Sequence, residues 1–557
     1  MKLPASFISY LENKSVLVSG LILAGLALLV LLPGTWETTG ITGKDEYFLS
    51  LRTPLTMMEL DKWWVPWLDD APRLKKPPMI YWLSRASMEI FGASLMSARL
   101  VAILLAVLFI YLILRIGEIL VDRRYGLLAA LITLSTLSLA VESRRLMLDL
   151  PAATFSTLAL YLLLLWWQRP RLLLMLASAA ALSAAVLTKG PLGLAVFGAG
   201  ALAFFLVDRD KRLLLFDKYV HSLLFIIAFL VLTLPWFVHV YTTFPETSLG
   251  MLQEDVSSRK LLTFSAAPVS ALLLLLFPWS FVLVWALFKT KTFLALKNEH
   301  GKLLIMLLVW LLISLLPFFF FRSFTRYMAG AILPMALISA AIPYFVSIQK
   351  VRPAAWLAIL FAVLISLPMM FFIAWFQGAY FMALLGLITL AYFCMTWWSC
   401  ENQEKMIISS MVLWLVLLGL VYPRMGINAM PDKALALVRG EQVILFHGPQ
   451  PALLAIKSGK AYLRLKNITA TLPEKYTMVY TRAEDSNYLE QQLNTAGIKF
   501  QNIYSFKTLS SRSTWVKFAR KGTKKQDWMQ ALATRDLAPI QSTIKLYRLN
   551  RNQNKTS

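Results

Sequence analysis

The chain has 557 residues, of which 58% are hydrophobic and only 15% charged, with a formal net charge of +25. Soluble domains carry about 45–50% apolar and about 25% charged residues, so this composition excludes a purely soluble enzyme and points to a polytopic membrane protein. So much positive charge on so apolar a chain fits an anionic membrane surface, phosphorylated substrates or nucleic acid, and the placement of the charges decides among them.

A helix needs about 20 mainly apolar residues to cross a bilayer core. Taken in chain order, the apolar runs predict spans near 15–33, 97–120, 126–141, 148–167, 172–187, 190–207, 219–240, 269–288, 303–321, 327–348, 354–376, 378–400 and 406–423, about thirteen in all. The first run has a long apolar core and no small-residue cleavage site before Trp36, so it reads as an anchor rather than a cleaved signal.

Alternating spans put Lys2, Lys14, Arg123, Arg124, Arg169, Arg171, the Arg209–Lys218 group, the Lys289–Lys302 group, Lys350 and Arg352 on one side. The bias of Lys and Arg makes that side the cytoplasm. The expected architecture is a helical transmembrane domain over 1–430 in a bacterial inner membrane, with outside loops at 34–78 and 241–268. A small soluble α/β domain over 431–557 follows in the periplasm. There, β-rich runs at 442–447, 476–481, 514–519 and 543–549 alternate with helical stretches near 485–497 and 523–535.

The outside loops are basic too, although topology does not call for it. They hold Lys44, Arg52, Lys62, Arg73, Lys75, Lys76, Arg144, Arg145, Lys189, Arg259, Lys260, Arg322 and Arg326. Such residues bind either lipid headgroups or a phosphate, where Lys acts as a point charge and Arg as a fork. Charge concentrated at membrane-facing loops makes membrane lipids a partner and leaves no role for nucleic acid.

Acidic residues are scarce, so their clustering is informative. Asp45-Glu46 lies beyond the first span. Asp149 opens another span just before Pro151, where a helix cap is the plain structural reading. Two carboxylates and several cations at one depth on one face are the composition of an active site. Lys75-Lys76-Pro77-Pro78, Thr188-Lys189-Gly190, Glu254-Asp255 with Arg259, and Arg322 with Arg326-Tyr327 fall on that same face; each alone reads as snorkelling or loop charge. The histidines (His221, His239, His300, His447) form no metal spacing, and Cys394 and Cys400 form no CxxC pair.

Read together, these segments resemble the aminoarabinose transferase and protein O-mannosyltransferase-like group of GT-C glycosyltransferases. The resemblance covers about residues 10–425 and is carried by Asp45-Glu46, Lys76-Pro77 before Tyr81-Trp82, Ser97-Ala98-Arg99, Leu148-Asp149, Thr188-Lys189-Gly190, Leu234-Pro235-Trp236, Arg259 and Tyr327. It implies an undecaprenyl-phosphate-linked sugar as donor, Asp45 as catalytic carboxylate and Asp149 as the second. Lys76, Arg259 and Tyr327 would hold the donor phosphate, with Lys189 beside them. Glu46, Lys75, Arg52, Arg322 and Arg326 are expected around the acceptor or elsewhere in the cavity. The chain departs from the group where aminoarabinose transferases have Glu-Lys-Pro and a Glu-His pair that looks like a metal site. Here Lys75 and Glu254-Asp255 stand instead, leaving Glu254 and Asp255 as the candidates for a divalent metal.

The expected reaction is inverting displacement at the sugar C1, with cations stabilising the departing phosphate. The outside cations favour a phosphorylated glycolipid such as lipid A, or another envelope glycolipid, as acceptor. A hexose transferred to a glycan or protein hydroxyl is the alternative. A lipid-linked-sugar transporter fits less well, because transporters place polar sites in broken helices at mid-membrane.

Overall fold

A bilayer core offers no partners to backbone N–H and C=O groups, so apolar runs of this length fold as helices that satisfy those groups internally. The computed structural model describes residues 6–37, 39–42, 45–258, 262–288, 299–345, 352–447, 451–469, 472–511 and 516–550. Among them, nine helices are long and apolar enough to cross a membrane, or up to ten if the bent pair Pro191–Val207 and Arg209–Asp217 is one span. The protein is a multi-pass helical membrane protein.

The count is lower than the thirteen expected spans because several runs are short or interrupted. Val16–Leu31 has 16 residues. The 126–141 run breaks into Arg123–Leu134 and Leu137–Glu142. At the break the Ser135 and Thr136 hydroxyls donate to Ile132 O and Thr133 O, each at 2.8 Å, offering the backbone an alternative to the helix. The 269–288 run splits into Ala267–Leu274 and Ser280–Phe288 around Pro278, which has no N–H to give.

Small residues let helices cross closely where no hydrophobic drive exists between them. A Cβ on Gly126 would sit 2.2 Å from Leu114 O, so only glycine permits helix Leu95–Leu120 to meet Arg123–Leu134 there. Burial ranks the helices. The most apolar stretch of Thr325–Phe345 is 83% buried and that of Tyr219–Thr243 only 17%, so the former runs through the bundle centre and the latter faces outward.

The C-terminal sheet has five strands in the order Arg464–Leu465, Val443–Phe446, Met478–Arg482, Ser542–Asn550, Lys499–Thr508. The first two pairings are parallel and the others antiparallel. Helices Ala483–Thr495 and Lys525–Thr534 lie near the stretches expected to be helical. Of the run 514–519, residues 514 and 515 fall outside the described residues, and 516–519 form no strand; the edge strand is Lys499–Thr508 instead.

This domain rests directly on the bundle. The Phe518 ring meets Phe372 at 5.6 Å, and Trp375 Nε1 donates to Leu532 O at 2.9 Å. A buried polar clasp adds to these contacts. Thr42 and Ser511 hydroxyls are 2.9 Å apart, while Asn428 Nδ2 donates to Ser511 Oγ at 3.1 Å and Asn428 Oδ1 accepts from Ser511 N at 3.1 Å. The clasp holds Thr42 of the first loop against the C-terminal domain.

Candidate active site

Helices Asp149–Gln168 and Leu172–Lys189 form an antiparallel hairpin, so the first residue of one and the last of the other reach the same end of the bundle. Proline at 151 is tolerated in the first helical turn, and Gly190, at φ +63°, ends the second helix before Pro191 starts the next. Asp149 thus sits at a positive helix end and Lys189 at a negative one, each with the charge its dipole favours. Their side chains pair.

Asp149 does not cap its helix as the simplest reading of the sequence expects. Leu148 occupies the cap position without a side-chain cap bond, and Asp149 is the first helical residue, only 3% exposed. Its Oδ1 holds Lys189 and its Oδ2 lies 3.6 Å from Arg326 Nε. Arg326 enters from the turn Thr325–Ala331, where Thr325 Oγ1 and Ser270 Oγ are 2.9 Å apart. Its Nη2 reaches Asp45 Oδ2 at 2.5 Å. One guanidinium therefore bridges the two carboxylates, and Asp45, 41% exposed, keeps Oδ1 without a partner among the described residues.

Glu46, next in sequence, goes elsewhere. Both its oxygens take Arg99, Nε to Oε1 at 2.8 Å and Nη2 to Oε2 at 2.9 Å, with each side chain 0% exposed. Oε1 also accepts from Leu146 N at 2.8 Å, and Arg99 donates to Thr35 O and Ile41 O. Glu46 therefore lines no cavity. It ties the segment before Asp45 to the segment before Asp149 and so fixes the spacing of the two carboxylates.

Beside the carboxylates opens a cavity of about 420 Å³. Lys76, Lys189, Arg322 and Tyr327 line it at polar positions; Val196, Ile313, Pro317, Phe318, Phe321 and Phe324 supply much of its apolar wall. Lys189 Nζ stands 4.0 Å over the Tyr327 ring, and Arg326 lies 5.7 Å from the same ring. The arrangement can hold an anion at one end of an apolar groove, next to a carboxylate with an unengaged oxygen.

The remaining expected residues are placed differently. Lys75 pairs with Glu254 at 3.1 Å near the surface. Arg52, 5% exposed, pairs with Asp69 away from this cavity. Arg259 lies outside the described residues, and of Asp255 only the backbone, in helix Pro245–Ser258, is described. Among the described residues no group of three or more His, Cys, Asp or Glu could hold a metal ion. Glu254 carries an ammonium as partner, which is the wrong neighbour for a metal ligand. Sequence reasoning missed Arg99 as the partner of Glu46, the apolar wall contributed by residues 313–324, and the central place of Arg326. The one available signal was the excess of cations over carboxylates on this face.

Residues 75–239 match the family of dolichyl-phosphate-mannose-protein mannosyltransferases, and the match includes Lys76, Asp149 and Lys189. The likeness to solved structures extends over nearly the whole chain. The chain superposes on ArnT from Cupriavidus metallidurans bound to undecaprenyl phosphate with a TM-score of 0.67 and 16% identity, covering 94% of this chain and 97% of that one. The apo form of the same protein gives 0.66 over 96% and 98% of the two chains. Two uncharacterized proteins of Aquifex aeolicus are 29% identical over 306 residues and 34% identical over 161 residues, spanning 53% and 29% of this chain. This chain covers 58% and 36% of the length of those relatives.

Proposed function

We propose that the protein is a glycosyltransferase that moves a sugar from an undecaprenyl-phosphate carrier to a phosphorylated glycolipid. The acceptor is of the lipid A type and the sugar 4-amino-4-deoxy-L-arabinose-like. The observation that carries this reading is the cavity in which Lys76, Lys189, Arg322 and Tyr327 stand at polar positions and an apolar wall lies beside them. A polyprenyl phosphate has that same division between an anionic head and a hydrocarbon tail. The likeness to a solved complex with undecaprenyl phosphate supports the donor, and the excess of cations over carboxylates supports an anionic acceptor. The reaction side is periplasmic on this reading, with the N-terminus cytoplasmic and the C-terminus periplasmic, as the Lys and Arg bias of the short loops requires.

The residues take distinct roles. An acceptor oxygen attacks the sugar C1 while the C1–O bond to the polyprenyl phosphate breaks, inverting the centre; the phosphate leaves with the bond's electron pair. Lys76, Lys189 and Arg322 stabilise the charge it gains, and Tyr327 and Arg259 complete that cradle. Asp149, with both oxygens engaged by cations, holds Lys189 and Arg326 in place. Asp45, whose Oδ1 has no partner among the described residues, orients the acceptor. A phosphate acceptor is already ionised at pH 7 and needs no base; a hydroxyl acceptor would pass its proton to Asp45.

The match of residues 75–239 to the protein mannosyltransferases favours a second reading, a hexose moved to a protein or glycan hydroxyl. Purified protein given synthetic undecaprenyl-phosphate sugars and both acceptor types decides between them. Product on the phosphorylated glycolipid supports the first reading, and product only on hydroxyl acceptors overturns it.

A further inference from the structure

Away from the cavity, guanidinium groups gather where the first loop meets the C-terminal domain. Arg52 opens helix Arg52–Glu59 and is 5% exposed. Its Nη1 donates to Phe48 O at 3.3 Å, and its Nη2 pairs with Asp69, in the turn between Trp67–Leu68 and Ala71–Pro72. Arg464, on a short strand of the C-terminal sheet, stacks its guanidinium 5.0 Å over the ring of Phe48. Its Nε is buried and has no hydrogen-bond partner among the described residues. Arg73 follows the turn and donates from Nε to the Tyr81 hydroxyl at 3.1 Å.

The charge at this junction is not balanced. Among the described residues neither Arg73 nor Arg464 makes an ion pair, so Asp69 is the one carboxylate paired within the group. The other nearby acids, Glu59 and Asp70, make no ion pair there, and their charges are felt at Tyr462 and Tyr476. Burial pushes Arg52 down to about 10, and Arg464 and Arg73 push it in the same direction. A protein that buries like charges together, with an unpartnered Nε among them, leaves room for an anion to satisfy them. Three guanidinium groups less one carboxylate match the charge of a phosphate monoester, which carries about −1.5 to −2 at pH 7, and guanidinium forks suit its oxygens.

We propose that Arg52, Arg73 and Arg464 form an anion subsite that takes a phosphate group of the acceptor, with the C-terminal domain supplying Arg464. This rests on the phosphorylated-acceptor reading above. Arg73 and Arg464 are half-exposed and would meet the oxygens, while Arg52 adds charge from beneath. The chain that joins Asp45 to Lys76 runs through Arg52 and Arg73, so two of the three subsite residues belong to the loop that also carries a carboxylate and a phosphate ligand of the reaction.

The experiment uses full-length protein in detergent, with inorganic phosphate titrated against chloride at equal ionic strength. Phosphate raises the melting temperature of the wild type, and Arg464→Gln abolishes that response while melting no lower than wild type in phosphate-free buffer, because mutual repulsion has been relieved. Arg73→Gln is the second variant, for use if Arg464→Gln does not fold. In turnover, both raise KM for a phosphorylated glycolipid about tenfold or more, the scale of one charge-assisted contact, and leave KM for the donor unchanged; Arg464→Lys recovers part of the loss. A wild type indifferent to phosphate, or variants with wild-type acceptor KM, overturns the proposal. If instead the wild type turns over no phosphorylated glycolipid at all, the functional reading has failed and takes this one with it.

Discussion

Two charged clusters stand within a few residues of each other and meet opposite fates. Glu46 and Arg99 are sealed from solvent in a bidentate pair that makes three further hydrogen bonds to backbone groups. Asp45, Asp149, Lys189 and Arg326 share one guanidinium between two carboxylates, and Lys189 lines the cavity beside them. Residue type does not separate them, since both are acids with bases. Satisfaction does. A pair with every partner in place is a strut, and a cluster whose Asp45 Oδ1 has no partner among the described residues keeps bonding capacity for a substrate.

The sealed cluster carries the largest expected effect. Arg99→Ala leaves Glu46 as an uncompensated buried charge and should cost about 3–5 kcal/mol of stability, read as a lower melting temperature in detergent or loss of folded protein. If Arg99→Ala folds and melts like the wild type, the distinction between strut and site fails. Next comes Asp45→Asn, which keeps shape but not charge. It should melt like the wild type, bind donor near normally and lose about 10²–10⁴-fold in turnover if a hydroxyl must be deprotonated. A much smaller loss indicates an already ionised acceptor, so this one variant sharpens the choice of acceptor.

Lys76→Ala should raise KM for the polyprenyl donor by about one to two decades, from loss of a contact of about 1.5–3 kcal/mol, without lowering the melting temperature. Asp149→Asn tests the other side of the cluster. Asn caps a helix about as well as Asp, so a purely capping Asp149 would tolerate the change. With Lys189 and Arg326 both resting on its carboxylate, turnover and donor affinity should instead fall together.

Much of this was legible in the chain. Apolar runs mark helices wherever a bilayer leaves the backbone no alternative, and interruptions at Ser135-Thr136 and Pro278 lower the number of full-length helices. The helical hairpin 149–189 brings Asp149 to Lys189 by length alone. Glu46 was misplaced because adjacency to Asp45 says nothing of direction, and consecutive side chains on a turning backbone point apart. Arg326 looked like one more outside cation because its bridging role depends on a turn 281 residues from Asp45. The strand Lys499–Thr508 escaped notice because an edge strand with many exposed positions lacks a continuous apolar run.

The smallest expected effect concerns the surface pair Lys75–Glu254. Lys75 and Glu254 are 35% and 66% exposed, and a pair so open to water contributes about 0–1 kcal/mol. Lys75→Ala and Glu254→Ala should each leave stability nearly unchanged and alter turnover no more than about threefold, with a coupling in the double variant inside the same 0–1 kcal/mol range. High salt should erase what coupling there is. Incubation with a chelator, followed by dialysis, should leave activity and melting temperature where they were, because the Glu254 carboxylate already has an ammonium for its partner. A chelator that abolishes turnover, with recovery on adding one divalent ion and no recovery in Glu254→Ala, would overturn this. The Lys75 contact would then be a stand-in for a metal ion, and the surface pair would join the catalytic cluster on the open side of the comparison.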